Sequence, residues 1–125
     1  MGTTAHDPLI GIVGPCGAGK TSLAAKLSSQ FARVRAIAQE HSYVPDMWRR
    51  ITNPDILIYL DASYPVTIQR RHLDWTEDEY HVELNRLAHA HEHADIYIAT
   101  DHLSLDNVFQ VALEKLKHLV SNTGR

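Results

Sequence analysis

Apolar positions along the chain switch period repeatedly, and the switches divide it into alternating short runs and helical stripes. Leu9-Ile10-Gly11-Ile12-Val13 is a continuous apolar run ended by Gly14, the mark of a strand covered on both faces. From Lys20 to Phe31, Leu23, Ala24, Leu27 and Phe31 recur at helical spacing. Val34 to Ala38 reads as a second strand. Residues 39–55 keep no period, with Pro45 and Pro54 as breakers and room for one helical turn near Met47–Ile51. Ile56-Leu57-Ile58-Tyr59-Leu60 is the clearest strand of the sequence. Pro65 suits the first turn of a short helix reaching Arg71. Thr76 and Glu79 form a capping box, and the helix they open places Tyr80, Leu84, Leu87, Ala88 and His91 on one stripe. Ile96 to Ala99 is a fourth strand. Ser104 caps a last helix with an inner face of Leu105, Val108, Phe109, Ala112, Leu116 and Leu119. Residues 1–7 and 121–125 are expected to be flexible ends.

Strands alternating with helices imply a parallel sheet covered by helices, here of about four strands in a single α/β domain spanning residues 1–125. In such sheets a ligand lies beyond the carboxyl ends of the strands. The first of those ends is Gly14-Pro15-Cys16-Gly17-Ala18-Gly19-Lys20-Thr21, a complete G-x-x-x-x-G-K-[ST] sequence with a strand before it and a helix after. Each position has a physical reason. The glycines reach backbone angles closed to other residues. Successive N–H groups then turn inward as an anion nest, and the helix that follows adds its own free N–H groups and positive dipole end. Lys20 is placed to reach the β- and γ-phosphates, the Thr21 hydroxyl to ligate Mg²⁺, and Ser22 to touch the α-phosphate. Cys16 fills a free position of the motif. The expected fold is therefore a three-layer α/β/α P-loop domain, and the expected ligands are ATP or ADP with Mg²⁺.

Two later segments extend the pattern. Ile56–Asp61 followed by a helix with Arg70-Arg71, then Ala94–Asp101 with Ser104 opening the last helix, resembles in order and arrangement the small P-loop kinases, such as shikimate, gluconate and nucleotide kinases. The resemblance implies that Arg70 and Arg71 stand where the family's lid arginines cover the phosphates. It implies that the Thr100–Leu103 turn, with Asp101 and His102, lines the adenine pocket. It also implies γ-phosphoryl transfer by positioning and charge stabilisation with Mg²⁺. The family's acceptor-binding insertion has no counterpart of comparable length in residues 39–55, and one of its five strands is absent.

A carboxylate is still needed near Thr21. Asp61, after five apolar residues, has the form of a Walker B aspartate and is the candidate second ligand of Mg²⁺. Glu40, at the end of the second strand, is the stronger candidate for orienting a nucleophile. It opens a loop rich in chemistry, with His41, Tyr43, Asp46 and Trp48, where Trp48 either stacks on a flat acceptor or covers the core. Among His89, His91 and His93, only His89 and His93 share a helical face, and the order is not that of a zinc-binding H-E-x-x-H helix.

Composition narrows the partners. The net charge is −3, and the basic residues are scattered except for Arg49-Arg50 and Arg70-Arg71, so no stripe fits a nucleic acid. No run of apolar residues is long enough to span a bilayer, and the polar start has no signal-peptide core, so a cytoplasmic protein is expected. The single cysteine excludes an intrachain disulfide. The sequence thus points to a nucleotide-binding domain that transfers or hydrolyses a γ-phosphate, with a small-molecule acceptor near residues 39–50. The alternative is a nucleotide-binding regulatory module without phosphotransfer. Oligomeric state is left open.

Overall fold

The computed structural model describes residues 7–71 and 74–123, without the side chains of residues 71 and 121–123. Four parallel strands, β1 (Ile10–Val13), β2 (Val34–Ala36), β3 (Ile56–Asp61) and β4 (Ile96–Ala99), form one sheet in the order β2-β1-β3-β4. The helices are α1 (Lys20–Leu27), α2 (Tyr64–Arg71), α3 (Glu77–His93) and α4 (Leu105–Thr123). A 3₁₀ turn at Gln39–His41 and a π-helical turn at Trp48–Thr52 occupy the connection from β2 to β3. No described helix is long and apolar enough to cross a membrane.

Strand alternation sorts the core into two clusters. Ile10 and Ile12 of β1, with Ile56, Ile58 and Leu60 of β3, pack with Leu23 and Leu27 of α1 and with Val108, Ala112 and Leu116 of α4. Their strand neighbours Val13, Leu57 and Tyr59 pack instead with Leu87 and Ala90 of α3 and with Trp48. Both faces of β1 and β3 are therefore dry, which is why these strands read as unbroken apolar runs. The register Ile10↔Ile56 and Ile58↔Ile96 brings the carboxyl ends of β1, β3 and β4 to one edge of the sheet.

Several expected boundaries move. β2 is an edge strand and not a buried one: Val34 is half-buried while Arg35 and Ala36 are exposed. Its pairing continues one residue further, where the Ile37 N–H donates to the Ile12 carbonyl at 2.8 Å, and the chain then turns at Gln39. Helix α1 ends at Leu27 instead of Phe31, because the hydroxyls of Ser28 and Ser29 donate to the carbonyls of Ala24 and Lys26 at 2.8 and 2.7 Å. The inner face of α3 is Tyr80, Glu83, Leu87 and Ala90, whereas Ala88 and His91 are exposed. The Thr76 capping box forms as expected and fixes that phase. In α4, Leu105 is 42% exposed and the remaining expected face turns inward. The Ser104 hydroxyl caps α4 by accepting from the Asn107 N–H at 3.1 Å.

Two substitutions separate the cap from the core. Thr76→Ala removes the capping box and is expected to cost roughly 1 kcal/mol. Leu87→Ala opens a cavity in a fully buried site and is expected to cost about 2–5 kcal/mol. Urea unfolding measures both, and equal losses would refute this division of the energy.

Candidate functional site

The site begins with three glycines that leave β1. Gly14, Gly17 and Gly19 have φ of 154°, 88° and 100°. A Cβ at Gly14 would lie 2.3 Å from the Leu60 carbonyl oxygen, and one at Gly17 would lie 2.9 Å from the Thr67 backbone. The loop is thus wedged between β3 and α2, which only glycine permits. Gly19 caps α1 directly, so the unpaired first-turn N–H groups of that helix open at the end of the loop.

On its outer side the loop forms one wall of a pocket of about 260 Å³. Gly17, Gly19, Lys20, Thr21 and Ser22 supply the polar wall, and Leu103, Leu105 and Val108 supply an apolar shelf. Arg70 closes it. Its guanidinium donates to the Thr100 hydroxyl at 2.8 Å, the Thr100 carbonyl at 2.6 Å and the Gly17 carbonyl at 3.4 Å. The expected arginine is therefore beside the loop; the side chain of Arg71 lies outside the described residues.

On its inner side the loop meets a buried charge cluster. Lys20 Nζ binds the Glu40 carboxylate at 2.8 Å and donates to the carbonyls of Gly14 at 2.8 Å and Pro15 at 3.4 Å. These contacts match the three donors of an ammonium group. The side chains of Lys20 and Glu40 are 11% and 5% exposed. Glu83 reaches in from α3: its Oε1 accepts from the Cys16 N–H at 3.0 Å and its Oε2 from the Cys16 thiol at 3.3 Å. A loop amide is thus already satisfied by a carboxylate. His41 stands at the rim, with Nε2 3.5 Å from Cys16 Sγ and 3.7 Å from the Glu40 carboxylate. The Arg86 guanidinium donates to the Glu40 carbonyl at 3.3 Å. Burial, then the Glu83 hydrogen bond and the charges of Glu83 and Glu40, push the Cys16 thiol up to about 11, while Lys20 opposes them.

The remaining expected residues are distributed less simply. Asp61 accepts a short hydrogen bond from the Tyr97 hydroxyl. That bond, with burial, pushes the Tyr97 phenol up to about 12. Asp101 accepts from the Ser63 N–H at 2.8 Å, which holds its carboxyl below the usual range, and so it pins the start of α2. His102 is exposed, and neither it nor Asp101 lines the pocket; Leu103, Leu105 and Val108 do. Trp48 is a core residue, 5% exposed, with Nε1 donating to His89 Nδ1 at 3.1 Å. Its backbone N–H donates to the Gln39 side chain, whose amide nitrogen donates to the carbonyls of Val44 and Arg86. Tyr43 is the exposed aromatic of this loop, 87% accessible, under the Arg86 guanidinium. His89 and His93 stack on each other at 4.3 Å, and His91 stacks on Tyr59 at 4.4 Å.

Glu83 is the residue that sequence reasoning missed. The signal was present: the Thr76 cap and Tyr80 fix the helix phase, and three residues further the inward position is a glutamate. No protein-family model matches the chain, and no curated protein matches it.

The cluster makes a kinetic prediction. Below a pH of about 11, Cys16 is chiefly a protonated thiol, so iodoacetamide labelling should be slow at neutral pH and accelerate as pH rises. Glu83→Gln removes the negative charge and one of the two acceptor oxygens that raise the thiol, so labelling should begin at lower pH. An unchanged pH–rate profile in that variant would refute the assignment.

Proposed function

We propose that the Gly14–Thr21 loop is a P-loop that binds ATP or ADP with Mg²⁺, within a three-layer α/β/α nucleotide-binding domain. The observation that carries this reading is the composition of the pocket: positive-φ glycines and a helix N-terminus on one wall, Lys20 and Arg70 beside them, and an apolar shelf opposite. The polar wall suits a polyphosphate, and the shelf of Leu103, Leu105 and Val108 suits the flat face of a base. Lys20 and Arg70 are the cations at hand to offset phosphate charge, and α1 directs its dipole at the same place. The residues fit Mg²⁺ in its usual manner, with few protein ligands and several waters: Thr21, exposed in the pocket wall, would hold it, while Asp61 engages Tyr97. When bound, the ion supplies charge neutralisation on the phosphates. A cytoplasmic setting accords with the single free cysteine.

As an enzyme, the domain would transfer or hydrolyse the γ-phosphate, with Glu40 orienting the nucleophile once phosphate competes for Lys20. One observation favours the regulatory alternative: Trp48, the aromatic best placed in sequence to hold an acceptor, is buried against α3. Phosphate release separates the two readings. Glu40→Gln should lose turnover and keep nucleotide binding in an enzyme, whereas a sensor has no turnover to lose.

Lys20→Ala should weaken ATP binding on the order of 100-fold in titration calorimetry, about 2.7 kcal/mol. That change strands Glu40 as an unpaired buried carboxylate, so the double variant Lys20→Ala/Glu40→Gln is measured alongside. Wild-type affinity in a folded double variant would overturn the reading.

A further inference from the structure

The inner side of the loop has a composition that phosphate binding does not require. Cys16, His41 and Glu83 bring one sulfur, one imidazole nitrogen and one carboxylate oxygen within 4.8 Å of one another. Around a tetrahedral zinc ion, with ligand bonds of about 2.0–2.3 Å, donor atoms sit roughly 3.3–3.8 Å apart. Two separations already fall in that range: Cys16 Sγ to Glu83 Oε2 is 3.3 Å and Cys16 Sγ to His41 Nε2 is 3.5 Å, while the other imidazole nitrogen, Nδ1, lies 3.9 Å from Glu83 Oε2. The three residues come from separate parts of the fold, namely the loop after β1, the turn after β2 and helix α3.

A second observation lies beside this set. Glu40 Oε1 is the buried side-chain oxygen that has no hydrogen-bond partner among the described residues. The other oxygen of that carboxylate lies 3.7 Å from His41 Nε2 and 4.0 Å from Cys16 Sγ. Two carboxylates of low exposure therefore lie around Cys16, and the Lys20 ammonium pairs with the one on Glu40. Such an imbalance is costly unless a further positive charge is supplied.

We infer that Cys16, His41 and Glu83, with the Glu40 carboxylate at the fourth position, form a binding site for a borderline divalent cation of the Zn²⁺ class. Thiolate and imidazole donors select Zn²⁺ or Co²⁺ over the oxygen-seeking Mg²⁺, so this site is chemically separate from the Thr21 pocket. On binding, the Cys16 S–H bond breaks, an Sγ–metal bond forms and the proton leaves to solvent; no electron is transferred. The ion replaces the proton that now bridges Cys16 and Glu83. Because Glu40 is also the partner of Lys20, the ion and the phosphate pocket share one carboxylate.

Cobalt titration of the reduced full chain tests this. Cys16 is the sole cysteine, so any thiolate-to-cobalt charge-transfer band reports it alone. The band should saturate at about one ion per chain and disappear when Zn²⁺ is added. His41→Ala, at a side chain 58% exposed and therefore tolerant of change, should weaken the ion by at least on the order of tenfold. Three results would each overturn the site: no band in the folded chain, cobalt taken up without the band by histidines elsewhere, or a band with unchanged affinity in His41→Ala.

Discussion

Three charged side chains, Lys20, Glu40 and Glu83, are withdrawn from water at one end of the sheet, and the rest of the site is arranged around keeping them paired. A lone buried charge of this kind costs several kcal/mol. The Lys20 ammonium is therefore held by Glu40 and by two loop carbonyls, and Glu83 is held by the Cys16 amide and thiol. The pairing joins the glycine loop to the turn after β2 and to α3. Gln39 then locks that turn by bonding Trp48, Val44 and the Arg86 carbonyl. The loop is fixed on one side by steric contact with Leu60 and Thr67 and on the other by charge.

Lys20 lies at the junction of two environments. Its outer aspect lines the pocket with Gly19, Thr21 and Arg70, and its ammonium is turned to Glu40. An anion entering the pocket would compete for the same ammonium, and a cation on the inner side would compete for the same carboxylate. Both would act on the single Lys20–Glu40 pair, which would couple binding on one side of the loop to binding on the other.

Much of this was legible in the sequence, for reasons that differ by element. β1 and β3 announce themselves because burial on both faces leaves no polar position inside the run, and β4 is apolar although Tyr97 and Ala99 are exposed. The Thr76 capping box and the Ser104 cap are local chemistry and needed no tertiary context. The glycine loop was legible because glycine spacing encodes backbone angles. The edge position of β2 was not, since strand order is a tertiary fact. The inward turn of Glu83 was hidden because an apolar stripe is sought in apolar residues, so a buried carboxylate reads as a gap in it. Of the Thr100–Leu103 turn expected at the pocket, Leu103 lines it and Asp101 and His102 do not, whereas Val108 reads in the sequence as core alone.

The most direct test of the central claim is the amide spectrum of the ¹⁵N-labelled chain as ADP and Mg²⁺ are added. The account predicts large, saturable shifts of the Gly17, Gly19, Lys20 and Thr21 amides, with smaller shifts at Leu103 and Leu105 and little change in α3 beyond Glu83. Shifts confined to surfaces away from the loop, or a spectrum unmoved by saturating nucleotide, would contradict it.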